Sequence, residues 1–193
     1  MSFLEKIIDY DKELFIYLNS LGSEPWDNFW VTLTNQFSWI PLFALLLFLI
    51  FRSYGWKKGL LLMVITALLI TFSDQFVNLI KDYFGRLRPN NDTTINEMIR
   101  VLRGPRSFSF VSGHSTTSFA VTTFIIASMK KHYKYPLLLL IWPILFAYSR
   151  IYVGVHFPID IFVGMLLGIL IGYIFYRISL TLLNKISGKN KIT

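Results

Sequence analysis

Two histidines, two aspartates, a lysine and three arginines fall in three short polar stretches of an otherwise apolar chain. The stretches are KDYFGRLRP (Lys81 to Pro89), SGH (Ser112 to His114) and SRIYVGVHFPID (Ser149 to Asp160). The chain has 3 histidines in all, so most of its imidazole is concentrated here. A neutral imidazole can attack phosphorus, a protonated one can hand a proton to a leaving oxygen, and fixed cations can hold an anionic group between them. The set suits phosphoryl transfer through a histidine.

The third stretch carries the strongest pattern. His156 and Asp160 are four residues apart, and Pro158 suits the first position of a helix. Asp160 then falls in the first turn, near enough to accept a hydrogen bond from one ring nitrogen of His156. Such a bond fixes the tautomer and raises the basicity of the other nitrogen, the attacking one. Arg150 offers a two-pronged partner for phosphate oxygens. The plain alternative is a structural His–Asp pair beside a membrane arginine.

Lys81 and Arg88 are seven apart, which on a continuous helix is one face and about 10 Å along the axis. Gly85 and Pro89 predict that the helix ends before Arg88, letting both side chains turn toward one point. Basic residues also snorkel at helix ends, and Arg86 reads as a decoy in the same stretch. Ser112 is a good helix N-cap, the free N–H groups of the following turn can bind an anion, and Gly113 allows close approach. S-G-H alone is a common tripeptide, and the polar run Ser115 to Ser118 could equally serve helix packing.

These stretches need elements to hold them. The chain of 193 residues is 54% hydrophobic and 16% charged, with a mean hydropathy of +0.53. A soluble domain of this length needs more charge to cover its surface, so the composition predicts an integral membrane protein. A spanning helix takes about 17–25 apolar residues, and five segments approximate that: Trp30 to Phe51, Leu60 to Ile80, Gly113 to Met129, Tyr135 to Tyr152 and Pro158 to Leu180. The first is the least clean, since Thr32, Thr34, Asn35 and Gln36 occupy its first half. Phe3 to Asn19 is amphipathic, with Leu4, Ile7, Ile8, Leu14, Phe15 and Leu18 near one face, and predicts a helix lying in the interface or capping the bundle. Its acids, and the lack of a small-residue cleavage site, argue against a signal peptide. The expectation is one all-α domain over 1–193: a polytopic bundle of about five spans, an interfacial segment over 1–25, and a short basic, disordered cytoplasmic tail over 184–193. Gly164, Gly168 and Gly172 recur every fourth residue in the last span and predict close helix packing.

Charge placement sets the orientation. Segments 52–58, 130–134 and 177–191 hold ten of the 19 Lys and Arg and none of the 11 acids. The other side holds nine, of which Lys81, Arg88 and Arg150 belong to the polar stretches. Setting those three aside predicts that the basic segments are cytoplasmic and the polar stretches face outward. The net charge of +8 could suggest nucleic acid, but no basic patch interleaved with aromatics lies away from the membrane flanks, so no nucleic-acid partner is expected. There are no cysteines, and no His or carboxylate cluster has metal-ligand spacing. Asp74, Asn78 and Lys81 share a face of the second span, where a carboxylate usually has a partner. Asp74 and Asn78 could brace the cations from behind, or reach interfacial water. His132, in KKHYK on the opposite side, reads as a solvated bystander.

Taken together, the stretches resemble the motifs of the type 2 phosphatidic acid phosphatases, a family that shares its site with vanadium haloperoxidases and glucose-6-phosphatases. Lys81, Arg88 and Pro89 match K-x6-R-P. Ser112, Gly113 and His114 match P-S-G-H with Val111 in place of proline, and Ser149, Arg150, His156 and Asp160 match S-R-x5-H-x3-D in full. The resemblance implies that His156 becomes a phosphohistidine, Asp160 orients it, and His114 protonates the leaving oxygen and then activates water. It also implies that Lys81, Arg88 and Arg150, with Ser112 and the Gly113 N–H, hold the phosphoryl oxygens, with no metal or other cofactor. The implied activity is phosphate or diphosphate release from a membrane lipid at the outer face of the cell's inner membrane. Undecaprenyl diphosphate is favoured there, ahead of lipid A, phosphatidylglycerophosphate and phosphatidate. Two other classes stay open: a phosphotransferase that passes the group to a lipid hydroxyl, and a non-catalytic phosphate-binding membrane protein. Oligomeric state is not readable.

Overall fold

The computed structural model describes residues 2–188, whose regular elements are all helices, with no strand among them. Helix α1 runs Phe3–Ser20, α2 Glu24–Leu33, α3 Ile40–Phe84, α4 Gly113–Met129, α5 Ile141–Tyr152 and α6 Pro158–Ile186. Ser2 and Glu5 form a reciprocal capping box at the start of α1. Prolines stand in the first turns of α2, α3 and α6, where a missing N–H costs no helical bond.

α4 stands at the centre of the bundle and packs along α6. Its length of 17 residues is roughly 26 Å at 1.5 Å per residue. The glycine stripe of α6 faces it: a Cβ at Gly164 would lie 2.9 Å from the Ser112 carbonyl oxygen. Cβ atoms at Gly168 and Gly172 would collide with the carbonyls of Thr116 and Ala120. The stripe thus brings two backbones together, as its spacing predicts, and with them the first turns of both helices. Leu62, Leu69, Phe124, Trp142, Phe146 and Ile171 fill the core among α3, α4, α5 and α6. Outward, α3 and α6 expose Phe48, Leu68, Leu79, Phe162, Leu166 and Leu170, an apolar exterior suited to lipid. Among the described residues, two helical segments are long and apolar enough to cross a membrane by themselves, one within Gln36–Asn91 and Pro158–Ile186.

The predicted span from Trp30 to Phe51 is corrected. α2 ends at Leu33, the chain turns through Thr34 and Asn35, and a short 3-10 helix, Gln36–Trp39, leads into α3. The polar residues that made this segment unclean make the turn: Asn35 accepts from the Phe37 N–H at 3.1 Å, and Trp39 Nε1 donates to the Leu33 carbonyl at 2.9 Å. The first two predicted spans, in turn, meet without a loop. α3 bends at Gly55, whose φ of 71° is natural to glycine, and the arms are residues 40–54 and 56–84. The predicted tail is shorter than expected, because α6 continues to Ile186; residues 189–193 lie outside the described residues.

The N-terminal helices do more than lie against the surface. Asn19, 1% exposed, donates to the carbonyls of Arg100, Ile151 and Tyr152, each at 3.1 Å, and accepts from the Arg100 N–H at 2.7 Å. Arg100 also pairs with Asp27 of α2 at 2.7 Å, and Lys12 with Asp92 at 2.7 Å. These bonds tie the long α3–α4 connection and the end of α5 to α1 and α2.

Candidate active site

One end of the bundle gathers the end of α3, the start of α4, the end of α5 and the start of α6. Each sequence stretch therefore arrives at a helix terminus. Gly85, with φ of 58°, ends α3 in the left-handed conformation, so the chain reverses and Arg88 returns toward the core. Ser112 caps α4, its Oγ accepting from the Ser115 N–H at 3.4 Å, and its own N–H donates to the Asp160 carbonyl at 3.0 Å. Pro158 opens α6 and puts Asp160 in the first turn.

His156, 1% exposed, occupies the loop between α5 and α6. Its Nε2 lies 3.0 Å from Arg88 Nη1. A guanidinium has only donors, so Nε2 must present its lone pair and the ring proton sits on Nδ1. Nδ1 lies 3.4 Å from both Asp160 Oδ2 and Ser109 Oγ, so its proton is shared between two long contacts. Burial pushes the imidazole well below its usual range, and the charges of Arg88, Arg150, Lys81 and Arg86 push the same way. The ring is therefore neutral, with the Nε2 lone pair directed at Arg88, a cation that can turn to phosphoryl oxygens and leave Nε2 to attack.

The cations differ in how they are held. Arg88 is 3% exposed, and burial pushes its guanidinium down to about 10, still fully charged at neutral pH. It donates to the carbonyls of Ser107 at 2.7 Å and Val155 at 3.0 Å, and to Ser107 Oγ at 3.0 Å. Arg150 donates to Thr34 Oγ1 at 2.6 Å, while its buried Nε has no partner among the described residues. A buried guanidinium with a spare N–H is suited to an incoming anion. Lys81 comes forward from α3, its Nζ 4.0 Å from where a Cβ on Gly113 would stand, beside the first N–H groups of α4. His114 follows in that turn, its ring 5.1 Å from Phe146, and the charges of Arg150, His156, Lys81 and Arg88 all act on it. The structure thus brings together Lys81, Arg88, Gly113, His114, Arg150, His156 and Asp160. Ser112 and Ser149 are fully buried, and their hydroxyls are used within the helices, Ser149 donating to the Phe146 carbonyl at 2.6 Å.

Other expectations change. Asp74 and Asn78 are exposed, and Asn78 donates to Asp74 at 3.4 Å. Neither bonds to a cation of the site, although the Asp74 charge acts on Lys81. Arg86 is no decoy: it donates to Asp160 Oδ1 at 2.7 Å and to Asp11 Oδ2 at 2.6 Å. Ser109 donates to Asp160 in a short hydrogen bond, and Thr34 holds Arg150. Spacing could not single these residues out, because Asp11 meets Arg86 and Ile159 across 75 and 148 residues, and Thr34 and Ser109 meet their partners across 116 and 51, apart from any motif. His132 lies beyond the far end of α4, its ring 4.8 Å from Tyr54.

Comparison with known proteins agrees with this architecture. The model of the PAP2 superfamily matches residues 56–183. A lipid A 4'-phosphatase of Bacteroides thetaiotaomicron is 32% identical over 180 residues, which cover 91% of this chain and 80% of that protein. An undecaprenyl-diphosphatase of Sulfolobus acidocaldarius is 31% identical over 181 residues, covering 92% and 82%. Among solved structures, a transmembrane PAP2 type phosphatidylglycerolphosphate phosphatase from Bacillus subtilis superposes with a TM-score of 0.72. That match covers 91% of this chain and 87% of the other at 21% identity, a likeness of fold.

Proposed function

Because the chain belongs to the PAP2 superfamily and is a membrane lipid phosphatase of that family, we propose that it removes a terminal phosphoryl group through a phosphohistidine on His156. The observation that carries this is the Nε2 lone pair of a buried, neutral His156, with Arg88 at 3.0 Å on one side and Asp160 at the other nitrogen. Nε2 attacks phosphorus, and the Nδ1 proton stays with the ring, which becomes cationic and is stabilised by the Asp160 carboxylate. Lys81, Arg88, Arg150 and the Gly113 N–H hold the phosphoryl oxygens as charge develops on them. His114 gives a proton to the leaving oxygen. In the second step it takes a proton from water, which attacks phosphorus and frees His156. Ser112 contributes by capping α4 and aiming its first N–H groups.

Among substrates, the phosphate of lipid A comes first, since two relatives carry that name and each matches along nearly the whole chain. Undecaprenyl diphosphate, favoured by the sequence reading, is the second, supported by the archaeal relative. We place the site at the outer face of the cell membrane and count five crossings: residues 36–54, 56–84, α4, the Pro136–Tyr152 segment and α6. The acid-free basic segments at the other end support this orientation. The deciding experiment measures phosphate release by the purified chain from lipid A, undecaprenyl diphosphate, phosphatidylglycerophosphate and phosphatidate, with EDTA present. Release in chelator from one of them supports the reading. Release that needs an added divalent ion, or none from any lipid phosphate, contradicts it.

A further inference from the structure

Resting on that reading of His156 and Asp160, we propose that Arg86 is a positioning residue for the reaction, and that Asp11 makes helix α1 part of the catalytic apparatus. The Asp160 carboxylate is held at both oxygens. Oδ2 accepts from Ser109, from the Phe157 N–H at 3.0 Å and, at 3.4 Å, from His156. Oδ1 accepts from Arg86 at 2.7 Å. Asp160 is fully buried, so without Arg86 one of its oxygens would lack its charged partner, and the carboxylate could turn away from His156.

Arg86 is itself clamped. Its other nitrogen donates to Asp11 Oδ2 at 2.6 Å, and its guanidinium lies 4.1 Å from the centre of the Phe157 ring. Asp11 Oδ1 accepts from the Ile159 N–H at 2.9 Å, so α1 grips the first turn of α6, the turn that carries Asp160. Phe15 of α1 adds an edge-on contact to Phe157 at 5.3 Å. Phe157 and Ile159, which lie between His156 and Asp160, are thus anchored to a helix distant in sequence. Arg86 faces two carboxylates, which distinguishes it from Lys81, Arg88 and Arg150: its charge is already matched, and its task is to hold Asp160.

The test is steady-state kinetics of the full-length chain in detergent on whichever of lipid A, undecaprenyl diphosphate and phosphatidate the wild type turns over fastest. A role through Asp160 predicts that Arg86→Met lowers kcat at least about tenfold while KM changes by less than about threefold. Arg86→Lys, which keeps the charge and loses the fork, should recover part of kcat. Asp11→Asn should lower kcat less than Arg86→Met. In an Asp160→Asn background, Arg86→Met should cost no more than about threefold further, because both changes break one link. Wild-type kcat in a folded Arg86→Met, additive losses in the double variant, or a rise in KM alone overturns the proposal. Should Arg86→Met not fold, wild-type kcat in both Arg86→Lys and Asp11→Asn overturns it. His156→Ala separates the two readings. If that variant is active, or the wild type hydrolyses none of the three lipids, the function falls and takes this inference with it. If His156→Ala is dead while the Arg86 and Asp11 variants behave as wild type, this inference falls alone.

Discussion

As the proposed nucleophile, His156 has to satisfy opposed demands: its Nε2 must be unprotonated before attack, and the ring must tolerate a positive charge once the phosphorus–nitrogen bond forms. Burial and the neighbouring cations meet the first demand, and Asp160 meets the second. The sign of the pH dependence follows. Lowering the imidazole's pKa favours the neutral form, so the acid limb moves down from the usual value of about 6.5. The acid limb of the kcat/KM profile of the free enzyme, corrected for substrate ionisation, should lie below the ordinary imidazole range. A limb centred at or above that range would contradict a buried neutral nucleophile. Asp160→Asn should lower kcat by roughly 10²–10⁴-fold, since the amide keeps the size but loses the charge that supports the imidazolium. Arg88 and Arg150 are untouched by that change, so phosphate binding and KM should hold. A defect confined to KM would make Asp160 a substrate-positioning residue instead.

Among the elements, the α4–α6 pair decides whether the site can form, because one helix carries Gly113 and His114 and the other Asp160. Gly168→Val would push a branched side chain into the Thr116 carbonyl, and overpacking of this kind costs about 1–3 kcal/mol. The variant should show a lower Tm in detergent, with reduced turnover at elevated temperature; an unchanged Tm would mean that the helices can separate freely. The glycine period made this contact legible in the sequence. α2 was not legible in the same way: hydropathy carried a single span through Thr34, although four polar residues stood there. What decided against the span was side-chain bonding by Asn35 and Trp39 to nearby backbone, and hydropathy does not register such bonds.

For the molecule as a whole, the motif residues were readable because each stands a fixed distance from a helix end, and helix geometry converts that spacing into direction. Arg86, Asp11, Ser109 and Thr34 were not readable, because their partners come from elements distant in sequence that only the packed bundle brings together. Topology is testable at this scale. His132 and the α3–α4 connection lie at opposite ends of α4. Cysteines introduced at Thr94 and at His132 should therefore differ toward a membrane-impermeant thiol reagent in intact spheroplasts, the Thr94 site reacting. Reaction at the His132 site alone would reverse the orientation.

The most direct measurement is to trap the intermediate. Purified chain is mixed with substrate, quenched in the first turnover under conditions that preserve phosphoramidates, and mapped by mass spectrometry of its peptides. The account predicts a phosphoryl group on His156, absent from His156→Ala and, with a folded bundle retained, loss of turnover in that variant by several powers of ten. A phosphoryl group on His114 or on a serine, or wild-type turnover by His156→Ala, would contradict it.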